Sequence, residues 1–524
     1  MDEVRSVPPR LLRESASGAL GASVALGVGL VLDLLLAFLF GAGSETDALF
    51  VALRIPFGVA VFFPPTAIQV VLPLVSRWLD EDNRRTTNAR TSAALLATLA
   101  VTSAVAIAGI LAAPLLTRLL APGLDEVSSL LATKLTRIAF LIIPPLATSE
   151  VLKAYRHAHR AHGWASALHG VVGLAVVVTL LMSPKANVEL ATWAFVMGAL
   201  GQLAGAWLLA RASGFKLVLG YFLTPETKAL GSLALRPLGA SAIQPGAKAA
   251  EQIVASLLAP GSITILTYGN RLVSAVGGTL FFRPVMTAFL GPMSLAHARS
   301  DIEQTRTLLL KGLQIMLTIS AAITVIVAVA GAPLVAGVFS FGSFGASQAE
   351  LLGIVVAFYA ASLPGAALQR MLLGFSFARL DTSTYLRNTY YGAAANFVLL
   401  GVMFFVWRTP LAILMVPIAY GMAQVVNVWH AAWAVRRDFE PAFAGLKAVI
   451  ARLAVVSAWA LIVMVLIRMW LSPDLNATPR ELILAGLASA AAGAAGFAIG
   501  WLVAFPVEAR DFAAKRRQLF SESS

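Results

Sequence analysis

Arg271 lies inside an otherwise apolar stretch, residues 261–301 (GSITILTYGNRLVSAVGGTLFFRPVMTAFLGPMSLAHARSD). A guanidinium at the centre of a bilayer helix costs about 2.5–3.5 kcal/mol on insertion scales, so one that persists faces water or an anion. Arg54 is the second such group. Two guanidiniums facing one aqueous cavity would suit a phosphate or diphosphate, because each offers a planar fork of donors. The competing reading pairs each arginine with a nearby acid or with carbonyls freed at a kink; Asp47 is two turns from Arg54, and Pro56 follows it. Asp33, the one acid in the first apolar run, either carries a proton or cation or pairs with Arg54. Lys248 and Glu251 are spaced i, i+3 and so can neutralise one another on one helix face. Gln244 and Pro245 beside them suit a broken, cavity-lining helix instead.

Several chemistries have no support. The chain shows no phosphate-binding GK[ST] loop, no HExxH motif and no paired carboxylates in a basic pocket, and it has 0 cysteines, so no cofactor, metal or hydrolytic site is read. His157, His159 and His162 have metal-like spacing but lie among Lys153, Arg156 and Arg160, where lipid headgroups are the expected contact. Arg283 precedes Pro284 and is read as snorkelling to the headgroups.

The elements that must position these groups are membrane helices. The chain is 59% hydrophobic and 12% charged, against about 25% charged in soluble domains. About 20 apolar residues cross the hydrocarbon. Fourteen spans are expected at 17–41, 47–76, 92–117, 131–152, 163–183, 189–210, 231–258, 262–296, 307–340, 349–373, 387–407, 410–434, 446–471 and 482–506. The N-terminal run 18–41 is too long for a secretory signal and continues into further spans. With both termini cytoplasmic, 28 of the 39 Lys and Arg fall in inside segments and only seven outside, leaving Arg54, Lys248, Arg271 and Arg283 within spans. That sidedness accounts for the net charge of +13 without nucleic acid.

An internal repeat at an offset of 219 residues pairs Phe62-Phe63 with Phe281-Phe282, Pro65 with Pro284, Pro73 with Pro292, Ala113-Pro114-Leu115 with Ala332-Pro333-Leu334, Pro145 with Pro364 and Arg160 with Arg379. Six spans per repeat make the repeats parallel. The expected architecture is therefore all-α and integral to the membrane. A cytoplasmic segment (1–16) leads into two pseudosymmetric six-helix lobes (17–215 and 216–440) around a central cavity, followed by a helix pair (441–506) and a cytoplasmic tail (507–524). Arg54 and Arg271 fall two residues off the common offset, which would bring them to opposite walls of the cavity.

These residues carry a family resemblance. Residues 40–56 (FGAGSETDALFVALRIP), the run Tyr268-Gly269-Asn270-Arg271-Leu272 and the run Phe377-Ala378-Arg379-Leu380-Asp381-Thr382 together resemble motifs of the MurJ (MviN-type) lipid II flippases of the multidrug/oligosaccharidyl-lipid/polysaccharide exporter superfamily. The resemblance implies translocation of an undecaprenyl-diphosphate-linked saccharide between leaflets of the bacterial inner membrane by alternating access. It also implies a monomer, contact with membrane lipids and a setting among cell-envelope glycan synthesis proteins. Arg271 matches the family's span-8 arginine, with Asn270 beside it; Arg54, Asp47 and Asp33 match its polar positions in spans 1 and 2. Where the family carries two arginines in span 1, this chain has Leu26 and Leu32, and Ala60 and Pro64-Pro65 stand for a further arginine and a Glu-Gly. Fewer cations weaken a diphosphate site, which leaves open an exopolysaccharide or O-antigen precursor, a multidrug antiporter of the same superfamily, or a scaffold. Span 11 offers Asn388 and Asn396 but no acid, so no sodium site is read.

Overall fold

The structure is a computed structural model. It describes residues 9–506, with 508 and 510, apart from 82–83, 160–166, 220–242, 380, 407–410 and 472–477. Residues 1–8 of the expected N-terminal segment 1–16, the first half of span 7, Arg160, His162 and most of the tail lie outside the described residues.

Helices follow one another as α1 (Pro9–Phe40), α2 (Ser44–Asp80), α3 (Arg84–Leu120), α4 (Glu126–Ala158), α5 (His169–Met182), α6 (Val188–Ala212), α7 (Ile243–Ser256), α8 (Ser262–Ala298), α9 (Ile302–Phe339), α10 (Ala346–Ala378), α11 (Thr382–Val406), α12 (Ala412–Arg436), α13 (Gly445–Trp470) and α14 (Pro479–Ala504). No strand occurs among the described residues. Twelve of these helices are long and apolar enough to cross a membrane, α5 is a shorter apolar helix, and each matches one expected span. One expectation fails locally: α12 and α13 are joined without a break as a single helix, Met415–Leu471, where a loop was expected.

The chain divides into two compact units, Met1–Thr264 and Ile265–Ser524. The repeat assigns the seventh helix to the second lobe, whereas here α7 falls in the first unit and packs on α2 and α3. Leu32, Leu36, Leu49, Leu53, Ile138 and Val176 form that unit's main core, closed by the edge-on pair Phe57 and Phe195 at 5.6 Å. In the second unit Tyr268, Phe339 and Phe344 join α8 to α9 and its following turn. Small residues allow close helix packing there, as where Gly353 meets the backbone of Ala332 and Gly486 meets Leu334.

The repeat is visible inside each unit. Helix starts recur at nearly one offset: Ser44 and Ser262, Glu126 and Ala346. The pair Glu150 and His169 touches in the first unit at 3.5 Å, and the pair Gln369 and Asn388, each member 219 residues further on, touches in the second at 2.6 Å. Both α2 and α8 depart from regular α-geometry near their shared Phe-Phe-x-Pro, α2 through a turn at Val61–Phe62 and a π segment Ala67–Val71, α8 through a π segment Ser274–Phe282. Proline withholds a backbone donor and crowds the preceding turn, which is the physical cause of such breaks.

Candidate functional site

In the first unit, Arg54 projects from α2, and its Nε donates to Oε1 of Gln252 on α7 at 2.6 Å. Gln252 is almost fully buried, and its Nε2 has no hydrogen-bond partner. On the same helix Lys248 Nζ lies 3.0 Å from Glu251 Oε2, the self-neutralising i, i+3 pair that the sequence allows. Asp33 is buried on α1 beside Leu32. Arg54, Gln252, Glu251 and Lys248 thus form a polar seam where α2 meets α7.

Asp47 does not serve Arg54. Its Oδ2 accepts the backbone N–H of Gly261 at 2.7 Å, and its Oδ1 accepts the N–H and the hydroxyl of Thr264 at 2.8 and 2.6 Å. The pairing of Arg54 with Asp47 is thereby corrected: the carboxylate satisfies orphan donors at the first turn of α8, where a negative charge also complements the helix dipole.

In the second unit, Arg271 is exposed on α8, within an otherwise apolar span. Its neighbour Asn270 lines a cavity of about 620 Å³ with Ser274, Arg283, Thr287, Tyr420 and a residue that sequence reasoning missed, Arg370. Arg370, which the charge count groups with the cytoplasmic segments, falls on α10 toward its C-terminal end. Its Nη1 donates to the Gly278 carbonyl at 3.0 Å, and its guanidinium sits 6.0 Å from the centre of the Phe282 ring. Arg283, read from the sequence as snorkelling to the headgroups, is exposed and belongs to the cavity lining. Among the described lining residues there is no carboxylate, and two guanidiniums with hydroxyl and amide donors give the lining a chemistry suited to an anion.

Lys153 is also displaced from its expected loop. It is buried on α4, ion-paired with Glu150, and its Nζ lies 3.0 Å from Nε2 of His169. Neither Gln252 nor this triad had a signal in the sequence, because each is defined by a partner on another helix. Among the described residues no group of three His, Asp or Glu could hold a metal.

A bundle of membrane helices built on repeated units, with arginines inside its spans and a basic cavity, defines a transporter of the multidrug/oligosaccharidyl-lipid/polysaccharide type. Residues 36–477 match the family model described as Lipid II flippase MurJ, and the chain belongs to that family. It is 27% identical over 376 residues to the Lipid II flippase MurJ of Burkholderia cenocepacia, covering 68% of this chain and 71% of the relative. Among solved structures, "Lipid II flippase MurJ, inward closed conformation" superposes with a TM-score of 0.78 at 17% identity, covering 96% of this chain and all of the other. An inward-facing MATE family multidrug transporter superposes at 0.64 and 14% identity, covering 80% and 94%, a likeness of fold alone.

Proposed function

We propose that this chain moves an undecaprenyl-diphosphate-linked glycan precursor, lipid II or a related lipid-linked saccharide, from the inner to the outer leaflet by alternating access. One observation carries the reading: Arg271 is exposed within an apolar span of a chain that belongs to the lipid II flippase family. Arg271 and Arg54 are the groups assigned to the diphosphate, with Asn270 beside the first and the Lys248, Glu251 and Asp33 side chains setting the local charge. A diphosphate in a low-dielectric cavity gains more from each guanidinium than it would in water. Asp47 acts by holding the start of α8. The chain works as a monomer in the bacterial cytoplasmic membrane with both termini inside, as its Lys and Arg distribution supports.

A saccharide other than that of lipid II is favoured by one detail. Leu32, where the resemblance expects an arginine, is 6% exposed and packed in the apolar core of the first unit. The test is growth: Arg271→Ala should fail to rescue a flippase-depleted strain while reaching the membrane at the wild-type level. Full rescue would remove Arg271 from the mechanism.

A further inference from the structure

The cavity around Arg283 and Arg370 shares Asn270 with the site read from the sequence, but neither of its arginines was assigned to that site. Both arginines lie toward the ends of α8 and α10 that the charge distribution places at the cytoplasmic face. Arg370 is braced by the Gly278 carbonyl and the Phe282 ring, which leaves its remaining donors available to a ligand. Tyr420, Thr287, Ser274 and Asn270 add neutral donors, and no acid offsets the two charges. A cavity of about 620 Å³ can hold a diphosphate with its first sugar.

Along α8 the twelve residues from Arg271 to Arg283 span about 18 Å at 1.5 Å per residue, a large part of a hydrocarbon core about 30 Å thick. Between them lies the π segment Ser274–Phe282. We propose that Arg283 and Arg370 form a second anion station, which binds the lipid diphosphate on the cytoplasmic side before Arg271 receives it nearer the outer face. The proposal rests on the reading of Arg271 as a substrate contact. It divides the crossing into two shorter steps, so that the diphosphate is never far from a guanidinium.

The test uses purified full-length protein in nanodiscs. Undecaprenyl diphosphate should bind the wild type and should bind R283Q/R370Q at least about tenfold more weakly, the effect of losing charge-assisted contacts. On the wild-type protein it should also slow phenylglyoxal modification of Arg283 and Arg370, read by peptide mass spectrometry, which needs no variant to fold. Phosphatidylglycerol at the same concentration should neither protect these arginines nor compete. Equal binding by wild type and R283Q/R370Q, with weaker binding by R271A, would overturn the second station and leave the proposed function standing. Equal protection by phosphatidylglycerol would make this a headgroup site, overturning the station. No binding of undecaprenyl diphosphate to the wild type would overturn both.

Discussion

The Asp47 carboxylate accepts both the backbone N–H and the hydroxyl of Thr264, a residue 217 positions away. With the bond from Gly261 it satisfies three donors at the start of α8, the helix whose later turns carry Arg271. Asp47→Ala strands these donors in a buried site and should destabilise the protein by on the order of 3 kcal/mol. Asp47→Asn should also cost stability, because its amide NH₂ would face the Gly261 N–H, donor against donor. The thermal unfolding midpoint of the detergent-solubilised protein reads both, and an unchanged midpoint for Asp47→Ala would refute the clamp.

Gly261 completes the same turn. Its φ of +89° lies in the left-handed region, and a Cβ there would stand 2.6 Å from the Ala42 carbonyl oxygen. The conformation alone costs an L-residue about 1–2 kcal/mol, and the collision is with backbone, which cannot swing aside. Gly261→Ala should therefore lower the unfolding midpoint, and Gly43→Ala, which meets open space, should lower it less. Equal midpoints for the two variants would show that the turn tolerates a side chain.

Asp381, outside the membrane-spanning helices, caps the start of α11. Thr384 and Ser383 donate hydroxyl bonds of 2.5 and 2.7 Å to its carboxylate and hold its pKa down at about 2. The folded pKa is below the unfolded value of about 3.9, so the contribution is present above pH 4 and fades as pH falls toward 2. Amide exchange at the first turn of α11 should accelerate across that window in the wild type. In Asp381→Ala it should already be fast at pH 6 and insensitive to the titration. A wild-type rate that stays flat from pH 5 to pH 2 would exclude the cap.

Much of the fold was legible because crossing a membrane needs a long apolar run, and thirteen of the fourteen expected spans match an apolar helix, the first half of the seventh lying outside the described residues. The site was legible only in part. Arg271 stands out because its flanks are apolar, whereas Arg370 was assigned to the cytoplasm through its nearness to the end of a span. Asp47 looks like a partner for Arg54 along one helix, but its partners come from a turn far along the chain. Lys153 reads as one charge in a basic loop because Glu150 and His169 meet it only once α4 and α5 pack. Between the expected spans 410–434 and 446–471 the helix runs on without a break, because a helix can carry charges such as Arg436 and Arg437 without stopping.

The matched contacts at 150/169 and 369/388 give the sharpest test of the repeat. In the first unit Glu150 and Lys153 form a buried ion pair that the half-exposed His169 ring joins. At the offset of 219 the second unit has Gln369, Leu372 and Asn388, where Gln369 Nε2 donates to Asn388 Oδ1 at 2.6 Å. One repeat thus solves with charge what the other solves with a neutral amide pair. Glu150→Gln alone leaves the Lys153 ammonium buried and unpaired, and Lys153→Leu alone leaves the carboxylate; each should cost about 3–5 kcal/mol. The double variant removes both charges and should recover most of that loss, and adding His169→Asn should recover more by restoring an amide partner. Unfolding midpoints of the four proteins and the wild type form a double-mutant cycle with one extension. Additive losses in the double variant would mean that the ion pair is not what each single change breaks, and that the two repeats do not share this contact.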